Sequence, residues 1–438
     1  MKNVGINNTI QKKYNWNLIW LILLSSISFG NYFFDNDFLA LLMTILLCLY
    51  IFICDKKCLI PSMVFINSFA YLFRFNEFNL YSLICLIFIV KVGLKEKRRI
   101  INTIIIGIPY LLLHLFSTYI FDLSFADIVP FILIFTLYFA ACEYTSEAKI
   151  DILLYFVIGH VISTIFGLLK PFTRLDSILG QDYISVVSWA DTTRFSGISF
   201  DPNFYTLMAI VVLCTLAFFL LGKISSVVWF LLSVITLAGG ALTFSKSFYL
   251  CVIVLLVYFM LINIKQVGFR EIRLFIVVTF LCCIFRDNIT NIIDAFLTRF
   301  DVNDSIDGLT TGRWSIWGKY IEQIMYSFDT ILVGHGLISG GMKAAHNLFL
   351  EMIYKFGLLG TMFDVVLFAL CKKEMKITLK SGIMPLIVIV LFISLLFNLS
   401  VYSFAGFWAT VLVILLIISD DVNKQYLTHK AGCKLKKQ

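Results

Sequence analysis

The composition of this 438-residue chain excludes an ordinary soluble globular protein. Hydrophobic residues make up 60% of the chain and charged residues 14%, whereas a soluble domain contains about half and about a quarter. The apolar residues also form long runs, which predicts an all-α, polytopic integral membrane protein. The formal net charge of +8 is explained by the orientation of such a protein in its membrane, so it requires no nucleic-acid partner.

The apolar runs predict about fourteen membrane-spanning helices, with a range of about twelve to fourteen. A run of about 20 apolar residues crosses a bilayer core of roughly 30 Å. The first run lacks a small-x-small cleavage site and is closely followed by another, so we interpret it as a retained helix. In chain order the predicted cores are 18–34, 38–54, 59–73, 79–94, 100–120, 127–144, 152–169, 204–222, 224–244, 247–264, 274–285, 349–370, 383–400 and 404–419.

The positions of lysine and arginine predict the orientation of the chain. Basic residues precede the first helix and then recur in every second connection, at 55–57, 95–99, 265–273, 371–376 and from 424 onward. Basic connections favour the cytoplasmic side and the helix count is even, so both termini are predicted to be cytoplasmic. Charged residues are expected to avoid the centres of the helices, which argues against a transporter.

Two long connections, 170–203 and 286–348, fall on the external side of this single membrane domain, which covers 1–438. Long loops in compact domains are commonly functional. The second loop contains a helical pattern near 311–325, and we expect this helix to lie along the membrane interface. A packed loop helix without a catalytic role is the alternative. Its apolar stripe consists of Trp314, Trp317, Ile321, Ile324 and Met325.

Both long loops end where a spanning helix is predicted to begin. Asp201 is a favourable N-cap and Pro202 suits the first helical position. The second helix is predicted to begin near Asn347. Free backbone N–H groups and the helix dipole favour anions at such places, phosphate above all.

Four basic side chains stand near these helix starts: Arg194, Lys246, Arg313 and His346. The planar guanidinium of arginine binds phosphate through two hydrogen bonds, while lysine acts as a point charge. Cations on the external side run against the usual distribution, which makes them candidates for a functional role. Contact with lipid headgroups or pairing with a nearby aspartate is the alternative for each of them.

His346 is the candidate base. Imidazole accepts a proton near neutral pH, and a helix N-terminus keeps it neutral. Asn347 is placed to orient the ring or a sugar hydroxyl. A histidine that only caps the helix is the alternative, and His335, between two glycines, is interpreted as a turn residue.

No metal or other cofactor is expected. The acidic stretch 301–308 is the best candidate for a metal loop. An EF-hand template that starts at Asp301 places Ile306 where glycine is required, and one that starts at Asn303 places Trp314 where the bidentate glutamate belongs. A solvated acidic turn is therefore the better interpretation.

Five short stretches together resemble a known family. They are RFSGISFDPN at 194–203, LTFSKS at 242–247, TGRWSIW at 311–317, GHG at 334–336 and AHNLFLEMIYKFGLLG at 345–360. In order and spacing they resemble the O-antigen polymerase and O-antigen ligase superfamily, which consists of bacterial membrane glycosyltransferases of the GT-C type. The first five helices agree with that family only in topology.

The resemblance implies a metal-independent glycosyltransferase at the external face of the bacterial plasma (inner) membrane. Its donor would be a glycan on a polyprenyl diphosphate such as undecaprenyl diphosphate, and transfer would invert the anomeric centre. Arg194 and Arg313 would bind the diphosphate, His346 would activate or hold the acceptor hydroxyl, and Lys246 would add a phosphate contact. The remaining expected binding residues are Asn347, Asp201, Asn203 and His335. Asp201 is also an alternative base.

The predicted function is polymerisation of lipid-linked repeat units into O-antigen or a related surface polysaccharide, a step of lipopolysaccharide biosynthesis. One alternative is an O-antigen ligase that transfers finished polymer to the lipid A core. Another is a flippase that transports lipid-linked oligosaccharide. The expected partners are the lipid-linked oligosaccharide, the bilayer, and a chain-length regulator and flippase of the same pathway.

Overall fold

The part of the chain that the structure describes is mostly helical. The computed structural model describes residues 3–34, 36–75, 78–95, 97–117, 125–169, 185–187, 192–199, 201–221, 223–263, 313–335, 345, 347–375 and 406–418. Its α-helices are α1 Asn3–Phe34, α2 Asp37–Ile53, α3 Lys56–Asn67, α4 Tyr81–Gly93, α5 Lys97–Ser117, α6 Phe125–Glu143, α7 Lys149–Leu168, α8 Pro202–Thr215, α9 Ser226–Leu242, α10 Lys246–Asn263, α11 Arg313–Ile324, α12 Phe328–Val333, α13 Leu348–Glu374 and α14 Phe407–Ile417.

Two short antiparallel hairpins connect some of these helices. Strand β1 (Arg74–Phe75) pairs with β2 (Phe78–Asn79), and β3 (Ser185–Val187) pairs with β4 (Thr192–Arg194). A π-helical turn at Leu216–Leu220 extends α8. These pieces link helices and add no separate layer.

Polar residues between apolar runs start several helices. The side chain of Asn36 accepts a hydrogen bond from the backbone N–H of Phe38 at the start of α2. Ser225 accepts from Val228 at the start of α9. Such caps satisfy N–H groups that have no partner within the helix. They therefore explain why the helices begin where they do.

Within the described residues, three helices are long and apolar enough to cross a membrane: Ser146–Leu168, Pro202–Leu220 and Leu348–Glu374. Nine further apolar helices have 10–17 described residues. Of the predicted cores, 274–285 and 383–400 lie outside the described residues, and each of the others coincides with a helix. Residues 301–308 also lie outside the described part.

The apolar core runs through the bundle around α8 and α14. Nearly every residue of α8 is buried, and α14 packs against α6, α7 and α8. Trp408 of α14 is fully buried, and its indole N–H donates a hydrogen bond to the hydroxyl of Tyr81. Peripheral helices expose large apolar side chains such as Ile105, Leu231 and Ile253. Helices that are apolar on their inner and outer sides are typical of a membrane interior.

One end of the bundle, which we call the Glu143 end, collects several of the predicted basic connections. The carboxylate of Glu143 forms ion pairs with Arg99 and Lys95. The ammonium of Lys91 donates to the carbonyl of Cys54, 2.8 Å away, beyond the last turn of α2. The final turn of α13 lies near Cys142, so the basic connection that starts at 371 reaches the same end. Segments distant in sequence thus place their cations together.

Asp364 contradicts the expectation that charged residues avoid the helix centres. It lies within α13 and is 3% exposed. Hydropathy averaged over a window does not detect one carboxylate in an apolar run. A buried carboxylate in this position is also a feature of transporters.

The opposite end of the bundle, which we call the Asp201 end, contains the start of α8 and the turn between α9 and α10. The end of α7 lies there too, because a Cβ atom added to Gly167 would come within 2.7 Å of Gly197. Helix α13 has 27 residues and a kink at Gly357. The stretch after Gly357 has a length of about 25 Å and ends at the Glu143 end, so the kink and the start of α13 lie away from that end.

Candidate functional site

The loop that follows Arg194 is held by α9 and by the ring of Tyr205. The N–H of Phe195 donates to the carbonyl of Leu242, 2.9 Å away. Gly197 has φ +60, and a Cβ there would lie 2.8 Å from the ring of Tyr205. Only glycine adopts this conformation readily and permits this approach. The backbone next to Arg194 is therefore fixed against the bundle.

Tyr205 is itself fixed from α7. Its hydroxyl lies 2.7 Å from the hydroxyl of Thr164, and its ring packs 4.9 Å from the imidazole of His160. A Cβ on Gly239 would overlap the Tyr205 hydroxyl. The loop after Arg194 thus rests on a side chain that is packed on several sides.

The start of α8 confirms the predicted cap. The carboxylate of Asp201 accepts a hydrogen bond of 2.7 Å from the N–H of Asn203, and Pro202 is the first helical residue. Asn203 is buried. These three residues therefore define the entry of α8, and the carboxylate of Asp201 is engaged in that entry.

The turn before Lys246 is tight and polar inside. Phe244 has φ 48, an uncommon conformation for a side chain of its size. The hydroxyl of Thr243 accepts from Thr206 of α8 and donates to the carbonyl of Gly240. Lys246 then begins α10 with a partly buried side chain. The hydrogen bond between Thr206 and Thr243 connects this turn to the start of α8.

A second group of residues forms where α11 packs on α13. The indole N–H of Trp317 donates to the carbonyl of Ala345, 2.9 Å away. The rings of Tyr320 and Tyr354 meet edge to face at 4.7 Å. Burial, followed by the carboxylate of Glu351, raises the pKa of Tyr320 to about 12. The hydroxyl of Tyr320 therefore stays protonated at neutral pH, and its oxygen also accepts a hydrogen bond from the backbone N–H of Ala345.

Asn347 begins α13, as predicted. Its side-chain oxygen accepts hydrogen bonds from the N–H groups of Phe349 and Leu350. The residue is buried, and so is Leu348. The amide oxygen of Asn347 is thus engaged in capping.

Helix α12 docks on a kink in α13 through two glycines. Gly334 has φ 80 and ψ −170, and Gly357 has φ 61 and ψ −170. A Cβ on Gly334 would lie 2.5 Å from the backbone nitrogen of Gly357. The backbone N–H of the next residue, His335, donates a hydrogen bond to the carbonyl of Tyr354. The imidazole ring of His335 also stacks on the ring of Tyr354, with 4.5 Å between the ring centroids. Two of the motifs in the resemblance, GHG and the GLLG segment, are therefore in direct contact.

The structure divides the predicted apolar stripe of α11 into two sides. Trp317 and Ile324 face α13 together with Tyr320. Trp314 and Ile321 stay exposed, as does Met325. An apolar arc on a helical wheel does not reveal which part of it meets the protein.

The site residues predicted from sequence fall into two groups. The first joins Lys246, Asp201, Asn203 and the backbone of Arg194, which lies in β4 opposite Ser185. The second contains Arg313, which begins α11, His335, which follows α12, and Asn347, which caps α13; these three helices contact one another. His346 lies outside the described residues, but Ala345 and Asn347 on either side of it are described. Both groups border one core, since Phe204 and Leu348 belong to the same apolar cluster.

Sequence reasoning missed Glu351 as a member of the second group. It is 2% exposed and lies one helical turn after Asn347, on the same side of α13. Its charge acts on Tyr320 and Lys355. The signal was a lone glutamate in the apolar run LFLEMIY, four residues after the predicted cap.

The arrangement offers two capped helix starts, two connected helices that each begin with a cation, Lys246 and Arg313, and a buried carboxylate. Hydrogen-bond donors and cations together suit an anion such as a diphosphate. Among the described residues, no group of three His, Cys, Asp or Glu side chains is placed to hold a metal. No family model, curated protein or solved structure matches this chain.

Proposed function

We propose that this protein polymerises oligosaccharide repeat units carried on a polyprenyl diphosphate, at the external face of a bacterial plasma membrane. One observation carries the proposal. Helix α10, which begins with Lys246, follows a turn that is hydrogen-bonded to the first turns of α8, and helix α11, which begins with Arg313, is anchored next to the start of α13. Both of these helix starts lie away from the Glu143 end where the basic connections gather. Since basic connections favour the cytoplasm, the Asp201 end would face outward.

The wider architecture belongs to the same proposal. The chain would span the membrane about fourteen times and have the GT-C arrangement. Both termini would be cytoplasmic. The positions of the described helices are compatible with about fourteen spans, since most of the predicted cores coincide with helices.

The donor diphosphate would be held by Arg194 and Arg313, with Lys246 as a further contact. Guanidinium groups bind phosphate oxygens through paired hydrogen bonds. The acceptor hydroxyl oxygen forms a bond to the anomeric carbon of the donor sugar, while the bond from that carbon to the diphosphate oxygen breaks. The leaving polyprenyl diphosphate takes the electron pair, and the cations balance its charge.

His346 would take the proton from the acceptor hydroxyl. A general base contributes about 10²–10⁴-fold to the rate. We assign Asp201 and Asn347 mainly to holding the helix starts, because their side-chain oxygens accept the capping hydrogen bonds. Attack opposite the leaving group would invert the anomeric centre.

A flippase for lipid-linked oligosaccharide is the second candidate, and Asp364 is the observation that favours it. Buried ionisable residues within spanning helices often mark transport pathways. A ligase would use the same diphosphate chemistry as the polymerase and differ in its acceptor. These functions give different products in cells.

The test is a surface-polysaccharide gel from cells that lack the gene and are then complemented. Collapse of the ladder to core plus one repeat identifies a polymerase. Loss of every repeat with accumulation of lipid-linked polymer identifies a ligase. An unchanged ladder contradicts both and directs attention to transport.

The complementing variants test the site itself. His346→Ala should leave the ladder collapsed, whereas His429→Ala in the predicted cytoplasmic tail should restore it. If His346→Ala restores the ladder while its amount in the membrane equals that of wild type, His346 has no role in the mechanism.

A further inference from the structure

Helix α11 has three distinct sides. At 100° per residue, its inward residues cover an arc of about 100° and include Trp317, Tyr320 and Ile324. An exposed polar side is formed by Ser315, Lys319 and Glu322. An exposed apolar side, only about 60° wide, is formed by Trp314, Gly318, Ile321 and Met325.

The apolar side is largely uncovered within the described structure. Trp314 is 58% exposed, Ile321 51% and Met325 66%. Helical hydrogen bonding continues through Met325, whose N–H donates to Ile321. Tyr326, in the connection to α12, and Phe328, the first residue of α12, are exposed as well. Large adjacent apolar side chains mark a surface that something else covers.

The attachment of α11 fixes where this side lies. Trp317 is hydrogen-bonded to Ala345, two residues before Asn347, which caps α13. Helix α13 has the length and hydropathy of a spanning helix, and it exposes Met362 and Val365 on its outer surface. Helix α11 is therefore held at the level where α13 enters the membrane.

We propose that the apolar side of α11 is a membrane-contact surface that lies in the headgroup–acyl boundary of the outer leaflet. Its occupant is bilayer lipid. Tryptophan and tyrosine favour this depth, and a helix with separate apolar and polar sides lies along it. Lys319 and Glu322 then face water. The proposal uses the membrane embedding proposed above and does not depend on glycosyl transfer.

The position also gives α11 a mechanical role. Its inward side fixes the carbonyl of Ala345, and its outer side rests on lipid. Helix α11 thereby sets the height of the second group of site residues relative to the lipid headgroups. A lipid-borne diphosphate lies at that height.

The test uses the full wild-type chain in nanodiscs of phosphatidylethanolamine and phosphatidylglycerol. A phosphatidylcholine with a diazirine near the top of one acyl chain is added and photolysed, and labelled residues are located by mass spectrometry. We expect label on Trp314, Ile321 and Met325 and none on Lys319 or Glu322 of the same helix. Met362 on α13 is the control for lipid contact.

Hydroxyl-radical oxidation of the same nanodiscs is the complementary measurement. Met325 should oxidise severalfold more slowly than it does in urea-unfolded protein. Rapid oxidation of Met325 with Met362 labelled by lipid would overturn the proposal and leave the membrane embedding intact. Crosslinks from the 314–325 segment to a second copy of the chain would overturn it too, and an unlabelled Met362 would contradict the embedding itself.

Discussion

The carbonyl of Ala345 belongs to the peptide unit that leads into His346, and α11 holds this group. Trp317 donates a hydrogen bond to it, and the backbone N–H of Ala345 itself donates to the oxygen of Tyr320. A peptide unit is planar, so an anchor on its oxygen restricts the following residue. Asn347 is fixed by its capping bonds on the other side. At the scale of single residues, the structure thus fixes both neighbours of the proposed base.

Trp317→Phe should lower the turnover of the polymerase while leaving the KM for the lipid-linked donor nearly unchanged. Phenylalanine keeps most of the bulk but loses the N–H, which costs about 1 kcal/mol of stability. A small displacement of a reacting group lowers the rate by roughly tenfold to a hundredfold. The measurement is polymer formation by purified protein in liposomes at several donor concentrations.

Trp314→Phe is the matched control, because Trp314 lies on the exposed side of the same helix. It should retain the turnover of wild type. If both tryptophan variants have equal turnover and His346→Ala is inactive, Trp317 does not position the site, and the proposed function still stands. Activity in His346→Ala would instead contradict the function of the site.

At the scale of elements, the contact between α12 and the kink of α13 depends on two glycines. Both have positive φ with ψ near 180°, a region that other residues essentially do not occupy. Each backbone also leaves no room for a Cβ, because Gly357 approaches Leu332 and Gly334 approaches Lys355. The kink therefore depends both on the conformational freedom of glycine and on the close packing of α12 against α13.

Gly334→Ala and Gly357→Ala should each lower the free energy of unfolding by about 1–3 kcal/mol from backbone strain alone. Thermal unfolding in detergent, followed by circular dichroism, measures this loss. Gly318→Ala is the control, because a Cβ there meets nothing within 4 Å and alanine favours a helix by up to about 1 kcal/mol. If all three variants unfold at the same temperature, the two glycines do not determine the docking of α12.

Periodicity and capping chemistry predicted where most of the described helices lie and where two of them begin, but they predicted few of the contacts between helices. Hydropathy located the helices, and the caps at Asp201 and Asn347 followed from side chains that accept backbone hydrogen bonds. The divided stripe of α11 was not predictable, because a pattern of 3.6 residues shows an apolar arc without its partner. The contact of Gly334 with Gly357 was hidden for the same reason, since it joins segments more than 20 residues apart in the chain.

At the scale of the whole molecule, the Glu143 end depends on one buried carboxylate. The side chain of Glu143 is 1% exposed and pairs with Arg99 and Lys95. Glu147, four residues later, pairs with Lys57, and both of those side chains are largely exposed. Removing one partner of a buried pair leaves the other charge uncompensated, whereas an exposed pair is screened by water.

Glu143→Gln should therefore lower the free energy of unfolding by about 3 kcal/mol. Glu147→Gln should leave stability unchanged within error. Both variants are compared by thermal unfolding in the same detergent at neutral pH. Equal effects of the two substitutions would show that Glu143 is not the anchor of this end.

The polarity of the bundle can be tested directly, and the proposed chemistry depends on it. Fusions that end in a fluorescent protein should fluoresce when joined after Lys95, because that protein folds only in the cytoplasm. Fusions to alkaline phosphatase should be active when joined at Ser327, between α11 and α12, because that enzyme folds only outside. The ion pairs of Glu143 place Lys95 at the Glu143 end, and the anchoring of α11 next to the start of α13 places Ser327 away from that end. The reverse result would put Arg313 and the start of α13 on the cytoplasmic side, where no acceptor glycan at the outer leaflet could reach them.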